Sequence, residues 1–205
     1  MPRLTSAEKR EHQDWLSNWR KPAEMASYVD AVNDTMGATD FFGQGGIQFL
    51  RDAWTAAEFG RHHKSEFVRL VPEQQQWPDF EAQKGRQIER IECGEADVPG
   101  RRRGAEYQNG RHLIGGDTPN IRHFPVKEWA TAEQALGGLC MVIAKKVAKQ
   151  YAEPVSLLLY LNVVEFGAWR KEIEAGMEQA VMPALPHFRH VWVLWKSHLY
   201  GPWQA

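Results

Sequence analysis

The chain has 205 residues, a formal net charge of −1, and 43% hydrophobic against 25% charged residues. That length suits one domain with one core, and the balanced composition excludes both a disordered polyelectrolyte and a uniformly basic nucleic-acid coat. Two cysteines, Cys93 and Cys140, exclude a disulfide-built fold, and no run of about 18 apolar residues marks a membrane span. Met1 to Arg20 carries charges where a signal core would lie, so the expectation is a cytoplasmic protein with reduced thiols and no membrane partner.

Thr5 to Val32 reads as helical, with Ser6 as N-cap and Trp15, Leu16 and Trp19 on one face. Pro22 interrupts it and opens a second helix. Gly37, Gly43, Gly45 and Gly46 mark a loop. Ile47 to Phe59 has an apolar stripe of Ile47, Leu50, Trp54, Ala57 and Phe59, and Gly60 is the expected stop. Glu66 to Val71 alternates as a strand and ends at Pro72. Trp77 to Gln83 and Gln87 to Ala96 read as two further strands joined through Lys84, Gly85 and Arg86. From Pro99 to Pro125 the chain is polar and Gly-rich, a long loop.

Trp129 to Tyr151 is the clearest helix. Gly137 and Gly138 inside it each cost about 1 kcal/mol relative to Ala, which points to close packing on a neighbouring backbone. Val155 to Val164 is an unbroken apolar run, as in a strand buried on both faces. Phe166 to Ala184 reads as an amphipathic helix, and Arg189 to Trp195 as the last strand. A meander followed by crossover helices predicts an α/β fold, a mixed central sheet flanked by helices.

The chemistry concentrates on Asp79, Glu92 and Glu95, carried by the two strands of one hairpin. A turn at Lys84–Gly85 sets Asp79 opposite Arg90, with Glu92 further along the same face. A three-residue turn centred on Gly85 instead sets Asp79 opposite Ile91 and gives its face to Cys93 and Glu95. Both registers remain open. Two carboxylates on one face can share a hard cation. Equally, Asp79 after Pro78 suits a plain turn, and Glu89, Glu92 and Glu95 suit a solvated face.

Pro78-Asp79, a short hairpin, then Ile91-Glu92-Cys93-Gly94 resembles the motif of the PD-(D/E)XK nuclease superfamily. The order helix, three strands, helix, buried strand resembles it too, over about Ile47 to Val164. The resemblance implies a restriction-endonuclease-like domain at 46–205 behind an N-terminal helical extension at 1–45. It implies Mg²⁺, with Mn²⁺ as substitute, held by Asp79 and Glu92, and assistance from Glu95 or from Glu58 on the preceding helix. It implies phosphodiester hydrolysis on nucleic acid. The motif Lys is replaced by Gly94, so a basic residue would have to come from elsewhere, and Lys145 or Lys146 on the following helix are the candidates. Without one, the expectation is a catalytically silent relative that binds nucleic acid or protein.

Arg101, Arg102 and Arg103 form a basic triplet beyond the acidic strand, suited to phosphates, with Arg111, Arg122, His112 and His123 adding charge. A solvated loop of surface ion pairs is the plainer reading. His62 and His63 have no partner at a metal-site spacing. Cys93 and Cys140 are expected in the core. Trp192, Trp195 and Trp203 allow a homodimer interface. No P-loop, GxGxxG or GxSxG motif is present.

Overall fold

The computed structural model describes residues 3–36, 44–72, 78–101, 129–149, 151–165, 167 and 169–205. Arg102, Arg103, Arg111, His112, Arg122, His123 and Trp77 lie outside them. In chain order the elements are α1 (Ser6–Leu16), α2 (Pro22–Met36), α3 (Gln48–His63), β1 (Phe67–Leu70), β2 (Phe80–Lys84) and β3 (Gln87–Ala96). There follow α4 (Ala132–Val147), β4 (Ser156–Leu161), α5 (Trp169–Val181) with a 3-10 turn at Met182–Ala184, β5 (Val191–Trp195) and β6 (His198–Trp203). The fold is α/β, a six-stranded mixed sheet in the order β1-β2-β3-β4-β5-β6 between helical layers. β3, β4 and β5 run parallel, and the other neighbours pair antiparallel.

Local chemistry sets the helix starts. At α1 the Thr5 hydroxyl accepts the Glu8 N–H, and the Glu8 carboxylate accepts the Thr5 N–H at 2.7 Å. The cap is therefore Thr5, one residue before the expected Ser6. Thr131 and Gln134 repeat the arrangement at α4. Each such cap contributes about 1 kcal/mol. Gly60 does not stop α3, which runs on to Lys64 in a left-handed C-cap. Its role is packing, since a Cβ there would lie 2.7 Å from both Pro22 Cγ and Val68 Cγ1.

β4 explains its leucines. Leu157, Leu159 and Leu161 face the α4/α5 layer, and Leu158 faces the α1–α3 layer. Each is fully buried, which stabilises by about 1.5–3 kcal/mol per side chain. β5 does the same with Trp192 and Trp195, only 2% and 1% exposed. These two tryptophans are therefore core residues, and of the three named above Trp203 alone is partly exposed. The cysteines also depart from the expectation: Cys93 is half-buried and Cys140 exposed. Among the described residues no helix is long and apolar enough to cross a membrane.

α4 lies against β3 at two glycine contacts. A Cβ on Gly138 would sit 2.3 Å from the Asp97 carbonyl oxygen, and one on Gly94 would sit 2.5 Å from Val142 Cγ1. Gly137, by contrast, has nothing within 4 Å. Two adjacent glycines therefore predict opposite signs. Gly137→Ala should stabilise by about 0.5–1 kcal/mol through helix propensity. Gly138→Ala should destabilise by about 1–3 kcal/mol, because backbone cannot yield as a side chain can. Urea unfolding of the two variants checks this, and equal effects would mean that α4 does not sit so close to β3.

Candidate functional site

β2 and β3 are joined by a two-residue turn at Gly85–Arg86, where Gly85 has φ +59°. The turn falls one residue later than a Lys84–Gly85 loop. Phe80 pairs with Ile91, and the Asp79 N–H donates to the Ile91 carbonyl at 3.0 Å. Asp79 therefore stands beside Glu92 rather than opposite Arg90 or Ile91, so neither expected register holds. β3 has 10 residues and β2 only 5, so β3 continues past the start of β2 with its edge uncovered by that partner. There the Cys93 N–H, which would otherwise pair with a strand, donates to Asp79 Oδ2 at 2.6 Å.

Side chains reach this edge from three sides. Asp79 lies at the end of β2. Glu92 projects toward α4, where its Oε1 accepts from Lys146 Nζ at 2.6 Å, Tyr151 OH at 3.3 Å and Lys149 Nζ at 3.5 Å. Asp52 comes from α3, with Gln48 donating to its Oδ1 at 3.2 Å. Lys146 passes Gly94 on its way to Glu92: a Cβ there would be 3.6 Å from Lys146 Cε, an ordinary contact, while Val142 Cγ1 would be the atom it strikes, at 2.5 Å. The α4 lysine thus lies beside position 94 of β3.

Glu92 is only 3% exposed, and its Oε2 is buried with no hydrogen-bond partner. Leaving such an oxygen unsatisfied costs about 1–3 kcal/mol or more for a charged group. The other acids respond to each other. Burial first, then Asp79, pushes the Asp52 carboxyl up to about 7. Burial first, then Glu92, raises Asp79, against the opposing pull of the Cys93 N–H, Lys146 and Lys149. Desolvation, then Asp79 and Asp52, raises the Cys93 thiol.

The other expected residues lie apart from this group. Glu58 pairs with Arg61 at 2.7 Å and with His62 at 3.8 Å. It sits six residues beyond Asp52 along α3, about 9 Å of helix. Asp52, not the expected Glu58, is the α3 acid whose carboxyl responds to Asp79, because the turn that meets the sheet depends on where α3 crosses it. Glu95 points to the opposite face of β3 from Glu92, accepting from Asn162 at 2.7 Å and lying 3.7 Å from Arg51. Arg101 lies against Asp97 at 3.6 Å. His63 meets Ser65 at 2.9 Å. Among the described residues, no group of three or more His, Cys, Asp or Glu side chains is gathered to hold a metal.

No protein-family model matches the chain, and no curated protein or solved structure matches it either.

The raised Asp52 carboxyl has a consequence for stability. Unfolded Asp loses its proton near 3.8 and folded Asp52 near 7, so folding takes up a proton between those values. Metal-free protein should therefore lose stability as pH rises through that window and level off above it. Asp52→Asn should shrink the decline to the part that raised Asp79 contributes, and gain about 1–3 kcal/mol over wild type at about pH 8. Parallel pH–stability curves for the two proteins would place the Asp52 carboxyl in water.

Proposed function

We propose that this chain is a metal-dependent phosphodiesterase acting on nucleic acid, with Asp79 and Glu92 as cation ligands and Lys146 as the ammonium of the site. The observation that carries the reading is the unpartnered Oε2 of buried Glu92, in a cluster with Asp79. A carboxylate oxygen withdrawn from water and left unmatched suits a cation that completes it. One or two carboxylates, with water and phosphate oxygens, are a usual donor set for Mg²⁺ or Mn²⁺. When bound, the cation supplies Lewis-acid polarisation of the phosphate and a lowered pKa for water.

The chain's own groups have separable tasks. Lys146 Nζ, fixed on Glu92 Oε1, orients the attacking water and offsets charge on the phosphate. Tyr151 OH shares that oxygen and keeps Glu92 turned so that Oε2 stays unengaged. Asp79 is held in place by the Cys93 N–H. Asp52, protonated up to about 7, adds a hydrogen-bond donor rather than a third negative charge. In the reaction one P–O bond forms to the water oxygen and one ester P–O bond breaks, leaving a phosphomonoester and a hydroxyl end.

A catalytically silent binder of nucleic acid or protein is the second reading, favoured by glycine at position 94. Calorimetric titration with Mn²⁺ and hydrolysis of bis(para-nitrophenyl) phosphate separate the two. Wild type should bind the cation and hydrolyse the diester, and Asp79→Asn should do neither. Lys146→Gln should keep cation binding and lose roughly 100-fold in hydrolysis. Cation binding without hydrolysis in wild type would favour the silent binder. Equal cation binding by wild type and Asp79→Asn would remove Asp79 from the site.

A further inference from the structure

We infer that the open face of β1, β2 and β3 is the track of a nucleic-acid strand, on which Arg69 and Arg90 hold the phosphate next to the one at Asp79 and Glu92. This rests on the phosphodiesterase reading of that site. Strand alternation builds the track. Val68, Leu70, Phe80, Ala82 and Ile91 point into the α1–α3 layer. Their neighbours point the other way, where α4 packs on β3 and β4, whereas the main helix contacts of β1 and β2 among the described residues are with α1, α2 and α3.

The pairing aligns that second face in rungs. Phe67, Gln83 and Ile88 form the outermost rung. Arg69, Glu81 and Arg90 form the next. Asp79 and Glu92 follow two residues further on. Two residues along a strand span about 6.5–7 Å. Successive phosphates of one nucleic-acid strand rise about 3.4 Å along a duplex axis and stand further apart through space, so the two rungs match neighbouring phosphates.

The arginines are already ordered. Glu81, itself buried, takes Arg69 Nε at 2.8 Å and Nη2 at 2.7 Å on one oxygen, with Arg90 Nε 3.4 Å from the other. Arg69 also lies over the Trp19 ring, 4.5 Å from its centroid, and Arg90 pairs with Glu153 at the rim. Glu81 and Glu153 together match the charge of the two guanidinium groups, and Glu81 fixes the direction of both. The arginine side chains remain 38% and 48% exposed. Among the described residues Arg69 Nη1 and Arg90 Nη2 have no partner, so each guanidinium keeps donors for a phosphate. Ile88, 47% exposed, with half-buried Phe67, gives the outer rung an apolar ledge for a sugar or base.

The test uses the full chain and two substrates. Bis(para-nitrophenyl) phosphate has no neighbouring phosphate, and a labelled single-stranded oligonucleotide, as DNA and as RNA, has many. For the Arg69→Gln, Arg90→Gln double variant, hydrolysis of the small diester should match wild type. Its oligonucleotide affinity should fall, and the slope of log affinity against log salt should drop by about 2, one per arginine. Arg90→Gln alone should lose about 1 of that slope, which keeps the test open if the double variant does not fold. Glu81→Gln should bind the oligonucleotide at least as well as wild type. A loss there equal to that of the arginine variants would reduce the arginines to partners of Glu81 and overturn the proposal. So would an unchanged salt slope in a folded arginine variant. Wild type that hydrolyses the small diester but binds neither oligonucleotide overturns the track alone. Wild type that does neither overturns the phosphodiesterase reading with it.

Discussion

The site depends on how closely α4 lies against β3. Two glycines permit the approach: Gly138 against the Asp97 carbonyl and Gly94 against Val142. With any side chain at either position the helix would stand further off. Lys146 and Glu92 pair at 2.6 Å within that contact. Burial of an ion pair is itself costly, since desolvation can exceed the Coulombic gain. The α4–β3 packing, with Leu139 and Ile143 seated among Leu157 and Leu159, supplies the apolar surroundings that hold the pair in place. The same contact that closes the core thus produces the electrostatics of the site.

A second constraint is the unequal length of β2 and β3. Where β2 has not yet begun, β3 presents a backbone donor and no strand to receive it, and an unpaired N–H is costly unless matched. Asp79 meets that demand with one oxygen. The sheet face toward α4 delivers Glu92, and α3 brings Asp52 near enough to feel the charge of Asp79. Burial, reinforced by neighbouring carboxylates, raises both Asp52 and Asp79, a pattern that ordinary surface acids do not show.

Much of the architecture was legible from residue pattern. The apolar run at β4 reported a strand covered on both faces, and the glycine between two alternating segments reported the hairpin. The position of Lys146 was readable as a candidate because α4 follows β3, but the distance was not. It depends on the α4 crossing, which is set by side chains over 40 residues apart in the chain. Register escaped for a local reason: a two-residue turn can start at Lys84 or Gly85, and only the folded sheet chooses. Asp52 escaped because helical spacing ranks residues by face and says nothing of which turn meets the sheet edge. β6 lies beyond the strand expected to be the last, and it carries Pro202, which an edge strand tolerates.

The two outer strands of the sheet also bear on how copies of this chain meet. The free side of β1 is taken by Arg20, whose N–H and carbonyl exchange hydrogen bonds with Val68 at 2.9 and 2.8 Å. The far edge, β6, carries Pro202, which has no N–H to offer, and its pairing with β5 shifts register between Val191 and Val193. Neither margin is a clean ladder for an incoming strand. Lateral growth into a continuous intermolecular sheet, the route by which exposed strands template fibrils, is therefore blocked at both ends of the molecule, by backbone satisfaction at one margin and by proline with an irregular register at the other.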